Sequence, residues 1–163
     1  MTNNDILRRL RFTLNQTDAE VQRLCRTVGV EIGEESLFGF LQREDEHGFV
    51  LCPDRVLEAY LDGLVLHRRG PPDPSRAGPP VDARFDNNMI LKKVRIALEL
   101  KEEDMLQALK LGGMDLSASE LGALFRNRTH KHYRFCGDQV LRNFLKGLTI
   151  KLRGVEPGRA HGW

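Results

Sequence analysis

The feature of this chain that most constrains its fold is an internal duplication. Residues 49–64 read FVLCPDRVLEAYLDGL, and residues 133–148 read YRFCGDQVLRNFLKGL. An offset of 84 residues aligns 3–70 with 87–154 without a gap, and 17 of the 68 aligned pairs are identical. Because this period is longer than that of solenoid repeats, we predict two copies of one small domain rather than a repeat array.

Apolar residues recur at helical spacing throughout both copies, which predicts an all-α fold with four helices per copy and no sheet. The clearest matched stripe comprises Val56, Leu57, Tyr60, Leu61 and Leu64, which align with Val140, Leu141, Phe144, Leu145 and Leu148. The segments TDAE (17–20) and SASE (117–120) have the spacing of helix-starting capping boxes, and Pro53 suits a first helical position. Helix ends are predicted at Gly29, Gly70, Gly113 and Gly154.

These signals divide the chain into two tandem four-helix repeats related by a pseudo-twofold axis. The first repeat is residues 1–70 and the second is residues 85–154. Between them, residues 71–84 form a Pro/Gly-rich linker, which should be extended and semi-stiff because proline fixes φ and removes a backbone donor. Residues 155–163 lack periodicity and are predicted to be a flexible tail.

Composition argues against a membrane protein or a disulfide-stabilised secreted one. No run approaches the roughly 20 apolar residues that span a bilayer, and MTNNDILRRL does not resemble a signal peptide. The three cysteines are far apart and odd in number, which fits a reducing compartment. We therefore predict a cytoplasmic protein without a membrane partner.

The residues shared by both repeats are interpreted first as structural. The pairs Asn3-Asn4 and Asn87-Asn88 precede helices, so helix capping is the favoured role. Cys52 and Cys136 also stand ahead of helices, where a thiol can be activated, but Asp54 and Asp138 follow two residues later and oppose a thiolate. A small, partly buried cysteine at a helix entry is the favoured interpretation.

Four stretches of the sequence carry a resemblance to a known family. They are NNDILRRLRFTL, REDEHGFVLCPD, NNMILKKVRIALELK and HKHYRFCGDQVLRNFLKGL. In these stretches the chain resembles the bacterial YehS-like family, whose members contain two copies of one domain of unknown function. The resemblance covers almost the whole chain up to Gly154, and the linker and tail depart from it most. It implies a bacterial cytoplasmic protein and assigns no activity, cofactor or site residue.

Motifs of enzymes and metal sites are missing from the sequence. It contains no G-x-G-x-x-G, P-loop, H-E-x-x-H or G-x-S-x-G segment. His130 and His132 are close together, but two histidines in a loop do not supply a zinc site. We therefore predict no metal, no cofactor and a non-enzymatic protein, and an enzyme that uses the paired Cys-x-Asp positions ranks lowest among the alternatives.

Charge separates the two repeats. Residues 1–70 hold 9 Lys/Arg and 12 Asp/Glu, a net charge of −3, whereas residues 85–154 hold 13 and 8, a net charge of +5. A basic surface with aromatic residues favours nucleic acid, and the mixture of Arg, His and Tyr favours RNA or single strands. The candidate contacts are Lys92, Lys93, Arg95, Arg126, Arg128, His130, Lys131, His132, Tyr133 and Arg134.

The reversed charges also support a second hypothesis, in which the repeats dock on each other or on a second chain. Glu44, Glu58 and Asp62 of the first repeat align with Arg128, Arg142 and Lys146 of the second. Residues four apart share one helical face, so an acidic face and a basic face would be complementary. This alternative predicts a protein-interaction or self-assembly module, with a protein partner or a homo-oligomer.

Overall fold

A computed structural model describes residues 1–76, 84–158 and Trp163, and this part of the chain is all-helical, without a strand. The first repeat contains α1 (Asn3–Thr13), α2 (Asp18–Thr27), α3 (Glu34–Phe40) and α4 (Asp54–Arg69). A 3₁₀ turn at Pro74–Arg76 follows. The second repeat contains α5 (Asn87–Ala97), α6 (Glu102–Leu111), α7 (Ala118–Ala123) and α8 (Asp138–Arg153). The all-α prediction with four helices per repeat is confirmed.

The helix boundaries follow local signals in the sequence. Both predicted capping boxes form: the backbone N–H of Glu20 donates to the Thr17 hydroxyl at 3.2 Å, and that of Glu120 donates to the Ser117 hydroxyl at 3.1 Å. Pro53 is the residue before α4 rather than its first helical residue, so that boundary lies one position later than predicted. The four predicted stops, at Gly29, Gly70, Gly113 and Gly154, all have positive φ, which glycine adopts without strain.

The two repeats share one hydrophobic core. Within each repeat, the last helix packs along the second, as α4 does on α2 and α8 on α6. The first helix of each repeat packs more extensively on the last helix of the other repeat, so α1 lies against α8 and α5 against α4. Exchanging the repeats converts one of these contacts into the other, which is the pseudo-twofold relation. The repeats are therefore interlocked through their first and last helices.

Close helix crossings account for one pair of shared glycines. A Cβ added at Gly63 would overlap the main-chain carbonyl of Leu24, and one at Gly147 would overlap that of Ala108. Only glycine lets α4 approach α2, and α8 approach α6, at this distance. The repeated glycine at the middle of the last helix is thus required by packing.

Polar contacts cross the interface between the repeats. The hydroxyls of Thr13 on α1 and Thr149 on α8 are buried and lie 2.6 Å apart. On the other side of the pseudo-twofold axis, Lys93 of α5 forms an ion pair with Asp62 of α4. A second ion pair joins Arg69 to Glu99. The interface is an apolar contact with specific polar pairs on each side of the axis.

The linker and tail are described only in part. Of the predicted linker, residues 77–83 lie outside the described residues, and of the predicted tail, residues 159–162 do. Within the tail, Glu156 pairs with Lys146 at 2.6 Å, and Trp163 contacts the first repeat. None of the helices in the described segments has both the length and the apolar character that crossing a membrane requires.

Candidate functional site

The first helix of each repeat holds the segment before the last helix through an asparagine side chain. In the first repeat, the backbone N–H of Cys52 donates to Asn4 Oδ1 at 2.8 Å. The Asn4 amide nitrogen donates to the carbonyls of Val50 and Gly39 at 2.8 and 3.3 Å. Asn4 is fully buried, so its side chain satisfies backbone groups that water cannot reach.

The second repeat repeats this arrangement with Asn88. Its Oδ1 accepts from the backbone N–H of Cys136 at 2.9 Å, and its Nδ2 donates to the carbonyls of Leu124 and Arg134, each at 2.9 Å. The N-caps of α1 and α5 are Thr2 and Asp86. The prediction that the asparagine pairs cap their own helices is therefore wrong, because their side chains reach residues about 35 to 50 positions away.

The neighbouring asparagine completes a unit that links both shared motifs. Asn3 Nδ2 donates to the carbonyl of Cys52 at 3.0 Å and to Asp54 Oδ1 at 2.7 Å. Asn87 makes the same two bonds, to the carbonyl of Cys136 and to Asp138 Oδ1, at 3.0 and 2.8 Å. Asn-Asn and Cys-x-Asp recur together because each repeat uses them to fasten its last helix to its first.

The shared cysteines have the environment of structural thiols. Cys52 and Cys136 are buried, and each Sγ donates to the next residue's carbonyl at 3.7 Å. Burial is the main cause that raises the pKa of each thiol to about 12, and the Asp54 and Asp138 carboxylates add to it in Cys52 and Cys136 respectively. Both thiols are protonated at neutral pH. This geometry favours the structural interpretation over a poised thiolate.

A basic cleft opens where the segment after α7 folds against the start of α5. It has a volume of about 180 Å³. Its cationic and aromatic lining residues are Arg84, Lys92, Phe125, Arg126, Arg128 and Tyr133. One carboxylate, Asp86, lies in the same lining and forms an ion pair with Arg128. The Arg128 guanidinium carbon is 5.9 Å from the centre of the Tyr133 ring. Among the described residues, the buried Tyr133 hydroxyl has no hydrogen-bond partner.

The structure divides the predicted nucleic-acid contacts into three groups. Lys92, Arg126, Arg128 and Tyr133 line the basic cleft. His130, Lys131, His132 and Arg134 are exposed on the adjoining segment, and Arg126 also borders a shallow groove that contains His132 and Arg134. Lys93 and Arg95 have other partners. Lys93 pairs with Asp62, and the Arg95 guanidinium lies 4.6 Å from the Phe125 ring centre.

In the part of the chain that the structure describes, the charged residues of the docking hypothesis do not pair with one another as that hypothesis predicted. Asp62 does face the other repeat, but its partner is Lys93 on α5. Lys146 pairs with Glu156, and Arg142 donates to Gln139 at 2.8 Å. Glu44 lines a groove in the first repeat, and Glu58 is half-buried on α4. Within the described segments, no ion pair joins Glu58 or Asp62 to Arg142 or Lys146.

A cluster of arginines in the first repeat was not predicted. Arg8, Arg9 and Arg43 line an open groove of about 530 Å³, which we call the arginine groove, and Trp163 lies in it. Burial, together with the positive charges of Arg8, Arg142 and Arg43, lowers the pKa of Arg9. The available sequence signal was that positions 8 and 9 align with Lys92 and Lys93, so this pair is basic in both repeats. The pair was overlooked because the first repeat as a whole has a net charge of −3.

Comparison with known proteins gives a family but no activity. The chain is 40% identical over 151 residues to the "Uncharacterized protein YehS" of Escherichia coli (strain K12), which covers 93% of this chain and 96% of that protein. No solved structure matches. Residues 3–70 and 87–154 each match a domain described as "Protein of unknown function (DUF1456)". The predicted resemblance is confirmed: the chain belongs to this family and carries two tandem copies of its domain.

Proposed function

We propose that this protein is a non-enzymatic binder of single-stranded nucleic acid in the bacterial cytoplasm, and that the second repeat makes the contacts. The observation that supports this most strongly is the basic cleft, where Arg84, Lys92, Arg126 and Arg128 surround Tyr133. Four cations and one carboxylate leave a local excess of positive charge, and that carboxylate already pairs with Arg128. A chain of phosphates is the ligand that such an excess favours.

Further cations lie outside the cleft and extend the positively charged surface beyond it. His130, Lys131, His132 and Arg134 are exposed and adjoin the cleft. Each phosphate neutralised by Lys or Arg releases condensed counterions, so the slope of log K against log salt should be about −0.7 per phosphate for a single strand. Binding at this surface is therefore expected to weaken steeply as salt rises.

The aromatic residues supply the second element of single-strand binding. Tyr133 and Phe125 are half-buried in the cleft lining, and stacking a base on an aromatic ring contributes about 1–3 kcal/mol. The first repeat carries Leu41 and Phe49 at the equivalent positions, and Glu44 where the second repeat has Arg128. In the second repeat Arg128 thus adds a cation beside the aromatic rings of the cleft, where the first repeat has a carboxylate, which supports assigning the contacts there.

Fluorescence anisotropy of a labelled oligothymidine of about 12 nucleotides tests this proposal. Lys92→Glu and Lys131→Glu should each weaken binding roughly tenfold, equivalent to about 1.4 kcal/mol, and should flatten the salt dependence. Lys110→Glu is the matched control, because Lys110 is an exposed lysine on α6 of the same repeat. Equal loss in all three variants, or affinity that salt does not change, would contradict the proposal.

A protein partner is the second candidate, and an exposed apolar patch on the acidic repeat favours it. Phe38, Val50 and Leu51 are 56%, 52% and 62% exposed. The backbone N–H of Val50 donates to the carbonyl of Gly39, which follows Phe38, so the patch joins α3 to the segment before α4. Exposed apolar residues grouped in this way are typical of interaction sites. Sedimentation of nuclease-treated protein, with Phe38→Ser as comparison, measures whether the patch mediates self-association.

A further inference from the structure

The arginine groove and the basic cleft occupy equivalent places in the two repeats. The groove lies between the start of α1 and the segment after α3, and the cleft lies between the start of α5 and the segment after α7. Arg8 and Glu44 line the first, and the residues aligned with them, Lys92 and Arg128, line the second. Duplication has therefore produced two versions of one site.

In the first repeat this site holds Trp163 of the same chain. The Arg9 guanidinium carbon lies 4.7 Å from the centre of the Trp163 ring, which is a cation–π contact. Arg43 donates from Nη2 and Nε to the Trp163 main-chain oxygen at 2.6 and 3.2 Å. The groove thus binds a flat aromatic ring and an acceptor oxygen at the same time.

The arginines retain binding capacity that Trp163 does not use. Arg8 is only 7% exposed, and among the described residues its Nε has no hydrogen-bond partner. One end of its guanidinium is neutralised by Asp5 at 2.6 Å, and Arg43 Nη1 is paired with Glu46 at 2.6 Å. Glu44 and Asp45 also line the groove, so three carboxylates accompany its three arginines. The Arg9 Nε is also buried without a partner in this part of the structure. Buried guanidinium N–H groups without acceptors favour a ligand that brings more anionic oxygen than one main-chain oxygen.

We propose that the arginine groove is a second nucleotide site, in which Trp163 takes the place of a base and its main-chain oxygen the place of a phosphate oxygen. The inference rests on the proposed function for the identity of the ligand class. A nucleotide would stack its base on Arg9 and present phosphate oxygens to Arg43 and Arg8. Trp163 competes with it from within the chain, so the second repeat binds first and the first repeat binds when Trp163 leaves.

The competition has a measurable size. The cation–π contact of the Trp163 ring with Arg9 is partly exposed and corresponds to about 1 kcal/mol, so the ring alone weakens ligand binding at the groove about fivefold. Removing the ring should therefore strengthen binding there about fivefold without changing the basic cleft. The chain has a single tryptophan, so its fluorescence reports directly on whether Trp163 is seated.

The experiment is a titration with thymidine 5′-monophosphate, followed by amide NMR signals and by tryptophan emission. In the wild type, the nucleotide should shift Trp163 emission toward that of a solvent-exposed indole as the ring is displaced. In Trp163→Ala, the signals of Arg9 and Arg43 should saturate at about fivefold lower nucleotide concentration than in the wild type. Adding Arg9→Ala to Trp163→Ala should abolish these shifts, while the signals of Lys92 and Tyr133 still respond.

The outcomes separate this inference from the proposed function. Unchanged Arg9 and Arg43 signals on nucleotide addition to Trp163→Ala, with oligothymidine binding still weakened by Lys92→Glu, overturn the arginine-groove site alone. Nucleotide shifts at Arg9 and Arg43, with oligothymidine binding indifferent to Lys92→Glu, support the groove and overturn the proposed role of the basic cleft. Displacement of Trp163 by an indole-containing peptide but not by the nucleotide overturns the assignment of ligand class. Wild-type emission is read without any substitution, so a variant that fails to fold does not block the test.

Discussion

Replacing Asn4 with aspartate changes one amide nitrogen into an oxygen and leaves the shape of the side chain almost unaltered. The new Oδ1 still accepts from the backbone N–H of Cys52. The new second oxygen, however, faces the carbonyls of Val50 and Gly39, to which the amide nitrogen donated. The substitution therefore removes two hydrogen bonds and buries a carboxylate at a fully buried position.

The expected loss can be worked from these contacts. Each buried carbonyl left without a donor costs about 1–3 kcal/mol, and burying a charge adds to this. We expect a loss of about 3–5 kcal/mol, which is a large part of the roughly 5–15 kcal/mol that stabilises a domain. Burial should raise the folded-state pKa of the new carboxyl above its unfolded value of about 3.9. The loss is then smallest below about pH 4 and grows as pH rises toward the folded pKa.

Asn88→Asp is the matched control, because Asn88 makes the same three kinds of bond in the second repeat. Asn88 is half-buried, and its bond to the carbonyl of Arg134 is exposed, so water can replace part of what is lost. We expect about 1–2 kcal/mol for this variant. Urea unfolding followed by circular dichroism at neutral and acidic pH measures both. Equal losses in the two variants, or a loss below about 1 kcal/mol for Asn4→Asp, would refute the role assigned to the asparagine.

Three further predictions concern packing, the repeat interface and the thiols. Gly147→Ala, whose Cβ would overlap the Ala108 carbonyl, should cost about 3 kcal/mol or more in thermal unfolding, whereas Gly122→Ala, with open space around it, should not destabilise α7. Asp62→Lys should lose about 1 kcal/mol by facing Lys93, and adding Lys93→Asp should restore most of it. At neutral pH, Cys52 should resist iodoacetamide in the folded protein and react once urea unfolds it, since its folded pKa is about 12.

The fold was predictable because its signals are local. Capping boxes such as Thr17–Glu20 and stops such as Gly70 act within one turn, and the apolar stripes specify which face of each helix is buried. The pairing of α1 with α8 was not predictable, because helix stripes do not specify which other stripe they meet. The role of Asn4 was missed for a related reason: its partners lie far away in sequence and close in space.

In the candidate site, too, some features were predictable from the sequence and others depend on how the helices pack. Composition and charge placed Lys92, Arg126, Arg128 and Tyr133 in one basic set, and the structure brings these four together in one cleft. Lys93 belongs to the same set by charge, yet it pairs with Asp62 across the repeat interface. The arginine groove was hidden because net charge averages over a repeat, whereas Arg8, Arg9 and Arg43 meet only when α1 packs beside the segment after α3.

The central claim is that the positions shared by both repeats build the fold, whereas the diverged positions of the second repeat bind ligand. Transferring first-repeat residues into the second repeat tests this claim most directly. Arg126→Gln and Tyr133→Phe in the basic cleft, with Lys131→His on the adjoining segment, introduce the residues that the first repeat carries at the aligned positions. Arg128 is left in place because it pairs with Asp86 at the start of α5. We expect oligothymidine affinity to fall at least about tenfold with urea unfolding unchanged. Unchanged affinity in this folded triple variant would contradict the account.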